Sequence, residues 1–317
     1  MLVQALPSGP LDFVGDVHGE WQVLQVLISK LGYDENGFHP EGRRLVFLGD
    51  LVDRGPDSLA VFQFVRDLME KERGFCILGN HELNLWLGKH REGNEWYWGK
   101  TQTNAQSGVV PQTLASDSDR TEILDWLKDL PLVLEGADVR VVHACWDEAS
   151  VSFLRDFAGN ARQAFKAGST PVIAAIRSAG ALAGTDQADL LRQNVNPVTV
   201  TTSGQEALAD EPFMAGGKMR KVKRVPWWEN YEDEVAVVFG HYWRSLEPEN
   251  RPVKRGPYLF HGSEPEAPLG PRQNAWCIDY SIGYRCLERD AGNRRVTALA
   301  ALRFPERKLV FSLRTKV

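Results

Sequence analysis

Two carboxylates, one amide and three imidazoles stand at comparable places along the chain: Asp16 and His18, Asp50, Asn80, His143 and His241. Each group follows a short apolar run, and Gly15, Gly49, Gly79 and Gly240 close four of those runs. Carboxylate, amide and imidazole together suit borderline first-row divalent ions such as Mn²⁺, Fe or Zn²⁺. They do not suit Ca²⁺, which takes all-oxygen shells. One carboxylate can bridge two ions, and two ions ~3.5–4 Å apart clamp an in-line displacement at phosphorus. The densest stretch is 48–55, where Asp50, Asp53 and Arg54 fall between Gly49 and Gly55. An arginine there offers the bidentate fork that matches phosphate oxygens. A lone histidine after a strand is ordinary core, but five such motifs in one order point to a site.

Strands must deliver these residues. Apolar runs at 11–14, 45–48 and 75–78 read as buried strands, each followed by glycine and then by polar, ligand-type residues. Helices are expected at 20–31, closed by Gly32, and from 56 to about 72, ended by Gly74. A further helix is expected at 119–130, then a strand hairpin at 132–134 and 139–142. Strands at 235–239, 275–278, 296–304 and 309–313 complete the pattern. Strand–helix alternation of this kind indicates a layered α/β fold, with functional loops at the carboxyl ends of the strands. In the polar stretch 91–118, Trp96, Tyr97 and Trp98 read either as groove lining or as aromatics that pack down.

Residues 147–225 break the pattern. Alanine-rich helical segments at 153–167 and 171–183 precede a polar region at 197–217 and a basic run at 218–224. This reads as a cap inserted into a single domain spanning 1–317. The basic run is either a solvated face or a positive rim for an anionic substrate.

The chain has 317 residues, 43% hydrophobic and 25% charged, so it can bury a full core. Its net charge of -5 argues against general nucleic-acid binding. None of its four cysteines forms a C-x-x-C pair, and no apolar run approaches the ~20 residues that span a bilayer. Residues 1–10 lack the pattern of a signal peptide. The expectation is a cytoplasmic protein with reduced thiols and no membrane partner.

The motifs Gly15-Asp16-Val17-His18-Gly19, Gly49 to Gly55, Gly79-Asn80-His81-Glu82, His143-Ala144 and Gly240-His241 resemble those of the calcineurin-like metallophosphoesterases. More narrowly, they resemble the bacterial type of the phosphoprotein phosphatase branch. The resemblance covers about 11–145 and 225–313 and implies a layered α-β-β-α sandwich. It implies that Asp16 and His18 hold a first metal, that Asp50 bridges both, and that Asn80, His143 and His241 hold the second. Mn²⁺ is the first expectation, with Fe, Zn²⁺ or Ni²⁺ as alternatives. Arg54 would bind the phosphoryl oxygens and His81, oriented by Asp53, would be the general acid. The implied reaction is direct attack of a metal-held hydroxide, without a phosphoenzyme. Where many relatives have a second histidine, two residues after His241, this chain has Trp243.

The leading substrate expectation is a phosphate monoester, including protein phosphoserine or phosphothreonine. The alternative is a dinucleoside polyphosphate, because Phe239 to Trp243 and Ile123 to Leu127 resemble stretches of the symmetrical diadenosine tetraphosphate hydrolases. Those enzymes often have Ala where Asp53 stands, which favours the monoester. A third option, a nucleic-acid end phosphatase, rests on the basic run alone. A non-catalytic scaffold is the remaining alternative, and the full ligand set speaks against it. Arg220, Arg224 and Arg244 are candidates for a second phosphate contact.

Overall fold

The computed structural model describes residues 1–104, 108–182, 184–215, 218–250, 257–286, 288 and 296–312. The chain begins with β1 (Val3–Ala5), β2 (Leu11–Val14), α1 (Trp21–Leu31), β3 (Arg44–Phe47), α2 (Ser58–Glu70), β4 (Gly74–Cys76) and α3 (Asn80–Trp86). A small hairpin, β5 (Gln102–Asn104) and β6 (Gly108–Val110), leads through α4 (Asp117–Leu127) to β7 (Val133–Glu135) and β8 (Val139–Val142). Next come α5 (Glu148–Asp156), α6 (Ala161–Ser178), α7 (Asp186–Val195), α8 (Pro197–Ser203), β9 (Glu206–Ala215) and β10 (Lys218–Arg224). The last strands are β11 (Ala236–Phe239), β12 (Ala275–Cys277), β13 (Asp279–Tyr280), β14 (Ala298–Phe304) and β15 (Lys308–Phe311).

Two sheets carry the site. One runs β1-β7-β8-β11-β12; the other runs β13-β14-β2-β3-β4, with β15 paired to β14. Strands β2, β3 and β4 are parallel, as are β8, β11 and β12. Leu11, Phe13 and Val46 of one sheet pack with Val141, Val238 and Trp276 of the other in one apolar layer. Strand alternation sends Val14 to the opposite face, where it joins Leu24 and Leu27 of α1 and Val61 of α2. Each such side chain contributes about 1.5–3 kcal/mol on burial. The result is the expected α/β sandwich, with two facing sheets and helices outside.

The helix stops follow local chemistry. Gly32, at φ 93°, closes α1, as its sequence position indicates. Asp57 caps α2 by accepting the Ala60 N–H. Gly74 does not end α2, which stops at Glu70; it opens β4 instead. A Cβ there would lie 2.9 Å from Leu68 Cβ, so glycine lets the strand pack closely on the helix. The expected strand 309–313 appears as β15, and Leu313 lies outside the described residues.

Between β8 and β11 the chain forms α5 to α8 and the β9–β10 hairpin. Pro171 sits inside α6 rather than starting a new helix. The stretch expected to be merely polar contains α8, with Pro197 in its first turn and Asn196 as its cap. Its threonines disguise it. Thr201 and Thr202 are buried, and their hydroxyls donate back to the carbonyls of Pro197 at 2.9 Å and Val198 at 2.7 Å. The basic run forms β10, and its lysines meet acids: Lys223 with Asp210 at 2.7 Å, and Lys221 with Asp186 at 3.4 Å. Among the described residues no helix is long and apolar enough to cross a membrane.

Candidate active site

The parallel strands of both sheets end at one place. His143, just past β8, donates through Nδ1–H to the Leu48 carbonyl at 2.6 Å, so one sheet's loop is pinned to the other's. His18 donates through Nδ1–H to the Val52 carbonyl at 3.1 Å. Both bonds turn Nε2 toward the other candidate ligands, as in a metal-ligating histidine whose second nitrogen is fixed by a carbonyl.

Asp50 lies at the centre. Its Oδ2 is 3.8 Å from His18 Nε2 and 3.9 Å from His81 Nε2; its Oδ1 is 3.4 Å from His143 Nε2. Asn80 Oδ1 is 2.8 Å from His241 Nδ1 and 3.2 Å from His143 Nε2. Asp16 Oδ2 is 4.0 Å from His18 Nε2, and the carboxylate accepts the His241 N–H. Two groups of buried donors result, His18–Asp50–His81 and Asp50–His143–His241, each with its ligand atoms within 4.8 Å of one another. Donors ~2.0–2.2 Å from a shared ion must lie within about twice that distance of each other. The individual separations given above, 2.8–4.0 Å, meet this condition, so the residues around Asp50 are placed as divalent-ion ligands would be, with Asp50 common to both groups.

The backbone is bent to make this possible. His18, Asp50, Asp53, Arg54 and His241 all have positive φ, from 49° to 74°. Non-glycine residues in that region mark strain held at functional sites.

The charges are crowded. Burial, then the Asp279 and Asp50 charges, push the Asp16 carboxyl well above the usual range. Burial works against a charge on Asp50 too, but His143 and His81 hold it well below the carboxylate range. Burial likewise opposes charge on His143, yet Asp50 raises it to about 10. Burial and a neighbouring arginine lower His18 and His241, Arg54 acting on the first and Arg224 on the second. Cations at the centre would relieve the repulsion between these carboxylates.

Within the first group, His81 Nδ1–H donates to Asp53 Oδ2 at 2.6 Å, which aims Nε2 at Asp50. The Arg54 guanidinium meets His81 Nε2 at 3.1 Å and His18 Nε2 at 3.4 Å. It packs over Trp243 and Tyr284, 5.8 and 6.0 Å from their ring centres. Arg224 stacks on the same Trp243 at 4.5 Å and donates to the His241 carbonyl at 2.7 Å, so it lies at the site's edge. Arg244 is a correction. It is fully buried and donates to the carbonyls of Glu264 and Ala267, both at 2.7 Å, so the fold holds it away from a phosphate. Arg220 is exposed on β10.

Three further residues build the site: Glu82 and Trp96, which carried no catalytic role in the sequence, and Asp279, which read there as a residue behind the ligands. Glu82 accepts the N–H groups of Asp50, Leu51, Val52 and Gly79 at 2.8–3.3 Å. Burial and the Asp50 charge push its carboxyl up to about 7. Four donors meet its two oxygens, however, and this geometry holds the ionised form. Its place three residues after Gly79 is the available sequence signal, since an acid at N3 can reach back to the N-cap N–H. Asp279 accepts the N–H groups of Trp243 and Ser281, both at 2.8 Å, and so sets the turn after His241. Trp96 is fully buried, and its Nε1–H meets Asp53 Oδ1 at 2.7 Å.

A two-sheet α/β sandwich with two groups of buried, metal-ligating side-chain types at its strand ends defines a class, and comparison with known proteins gives the family. The chain belongs to the calcineurin-like phosphoesterase family, whose pattern matches residues 9–263. The asymmetrical bis(5'-nucleosyl)-tetraphosphatase PrpE of Halalkalibacterium halodurans is 35% identical over 122 residues, which are 38% of this chain and 48% of that protein. The chain thus spans about half the length of that relative. The symmetrical bis(5'-nucleosyl)-tetraphosphatase of Photorhabdus laumondii is 30% identical over 260 residues, 75% of this chain and 84% of that protein. A protein serine/threonine phosphatase from Saccharomyces cerevisiae superposes with a TM-score of 0.44 at 16% identity, over 78% of this chain and 67% of that one.

Proposed function

We propose that this protein is a dinuclear metal-dependent phosphatase that hydrolyses phosphate monoesters, with phosphoserine and phosphothreonine among its substrates. The observation that carries the reading is the Asp53–His81 pair at 2.6 Å, set beside Arg54 and the donor cluster. Asp16 and His18 would hold one ion, Asn80, His143 and His241 the other, and Asp50 both. Mn²⁺ is the first choice. The chemistry supplied by such a pair when bound is charge neutralisation and activation of water.

The chain's own residues do the rest. The Arg54 fork leaves its two histidine partners to grip two phosphoryl oxygens. That frees His81 Nε2 to carry a proton to the leaving oxygen, a contribution of ~10²–10⁴ in rate. Asp53 accepts Nδ1–H throughout, so the ring keeps its orientation as it donates. Residues 147–225 act as a cap that supports the His143 loop within one domain spanning 1–317. In support, the Ala144 N–H donates to the Thr201 carbonyl at 2.9 Å, and Trp227 Nε1–H to the Ala144 carbonyl at 3.0 Å. Four free cysteines, three of them buried, go with a cytoplasmic location.

The second reading is a dinucleoside polyphosphate hydrolase. The Photorhabdus relative favours it, because the match spans 84% of that protein's length. A nucleotide leaves readily without a proton, so the Asp53–His81 pair favours the monoester. A panel with added Mn²⁺ tests the choice: p-nitrophenyl phosphate, a phosphoserine peptide, diadenosine tetraphosphate and a 3′-phosphorylated oligonucleotide. Turnover of the phosphoserine peptide above the rest is expected. Diadenosine tetraphosphate as the best substrate overturns the monoester reading.

A further inference from the structure

We infer that Trp96 is a positioning residue for proton transfer, and that its indole N–H fixes which oxygen of Asp53 serves His81; the inference rests on the proposed acid role of His81.

Asp53 is completely buried, and among the described residues each of its carboxylate oxygens has one side-chain donor. Oδ2 takes His81 Nδ1–H at 2.6 Å, and Oδ1 takes Trp96 Nε1–H at 2.7 Å. An indole N–H can only donate. It therefore occupies Oδ1 as an acceptor and leaves Oδ2 to His81. His81 Nδ1–H is thus directed at Oδ2, and Nε2 of the same ring faces Arg54 and Asp50. The polarity of the chain of bonds thus starts at a group that cannot reverse it.

The surroundings support this placement independently. Trp96 is the largest of the fully buried side chains and lies in the 3₁₀ turn Glu95–Trp98. The segment before it is tied to the same loop as Asp53, because the Arg54 N–H donates to the Gly93 carbonyl at 3.0 Å. On the other side, the Asp53 N–H donates to Ser58 Oγ at 2.9 Å. Asp53 has φ 74°, so its backbone needs such ties to stay in place. A carboxylate oxygen stripped of its donor in a dry site loses a charge-assisted hydrogen bond. The carboxylate can then turn, and His81 loses its aim.

The test is Trp96→Phe, which keeps a ring and removes the N–H, assayed alone and combined with His81→Ala. Both are measured on an alkyl phosphate, which needs leaving-group protonation, and on p-nitrophenyl phosphate, which does not. The expected result is a kcat on the alkyl phosphate lowered about tenfold, with KM unchanged. The loss on p-nitrophenyl phosphate should be much smaller, and Trp96→Phe should add nothing in the His81→Ala background. Equal losses on both substrates, or losses that multiply with His81→Ala, overturn the role of Trp96. If His81→Ala itself loses equally on both substrates, the acid assignment of His81 has failed instead. Should Trp96→Phe not fold, Asp53→Ala, which removes the acceptor, carries the test by NMR. The Trp96 indole N–H signal is expected to move and exchange faster with solvent; an unchanged signal overturns the inference.

Discussion

Gly240 lies against Asp16 so closely that a Cβ on it would stand 2.1 Å from Asp16 Oδ1. The next N–H, that of His241, donates to the same carboxylate at 3.2 and 3.3 Å. One turn therefore places two proposed ligands from two different sheets. Gly240→Ala should push Asp16 aside at a cost of roughly 1–3 kcal/mol, the usual range for overpacking. A lower melting temperature together with weaker metal binding is expected; a variant with native metal content would remove the coupling.

Glu82 holds the loop of Asp50 through four backbone N–H groups. Glu82→Gln puts an amide N–H₂ where an oxygen accepts two of them. The expected loss is about 1–3 kcal/mol in chemical denaturation, and metal affinity should fall ~10–100-fold, as when groups supporting metal ligands are altered. Urea denaturation checks the first and calorimetric titration of metal into the folded variant the second; native values of both would contradict the role of Glu82.

Trp243 packs against two guanidinium groups, Arg54 at 5.8 Å and Arg224 at 4.5 Å from its ring centre. Each cation–π contact contributes about 0.5–2 kcal/mol. Trp243→Ala should release both arginines, raise KM for phosphate esters several-fold and change kcat less. Steady-state kinetics decides, and an unchanged KM would show that Arg54 is held by its other contacts.

In the metal-free protein His143 is raised to about 10 by Asp50, despite burial. Its folded pKa lies above the unfolded value of ~6.5. The stabilisation it gives is therefore complete below that value and lost as pH rises through about 10. A metal must displace this proton. Binding near pH 7 should release protons, and affinity should weaken as pH falls. Titration in two buffers of different ionisation enthalpy measures the release; none at pH 7 would contradict the assignment.

The proposed ligand set could be read from the sequence because each motif is local: a strand, then a ligand-type residue within a few residues, four times after glycine. Strand-end placement needed no long-range information. What joins the motifs did not show, because its spacing carries no pattern. Trp96 reaches Asp53 across 43 residues and Glu82 reaches Leu51 across 31. Arg244 misled for a similar reason. It stands three residues after His241, but Trp243 has φ 57° and the chain turns the arginine into the loop holding Glu264 and Ala267. In 147–225, α8 was hidden by threonines that satisfy their own hydroxyls within the helix.

The central claim is that Asp50 belongs to two cation sites at once. Metal content of purified, Mn²⁺-loaded Asp50→Asn, set against the wild type, tests it most directly. Two ions per wild-type chain are predicted, with both lost and activity abolished in the folded variant. An active Asp50→Asn that keeps two ions would contradict the account.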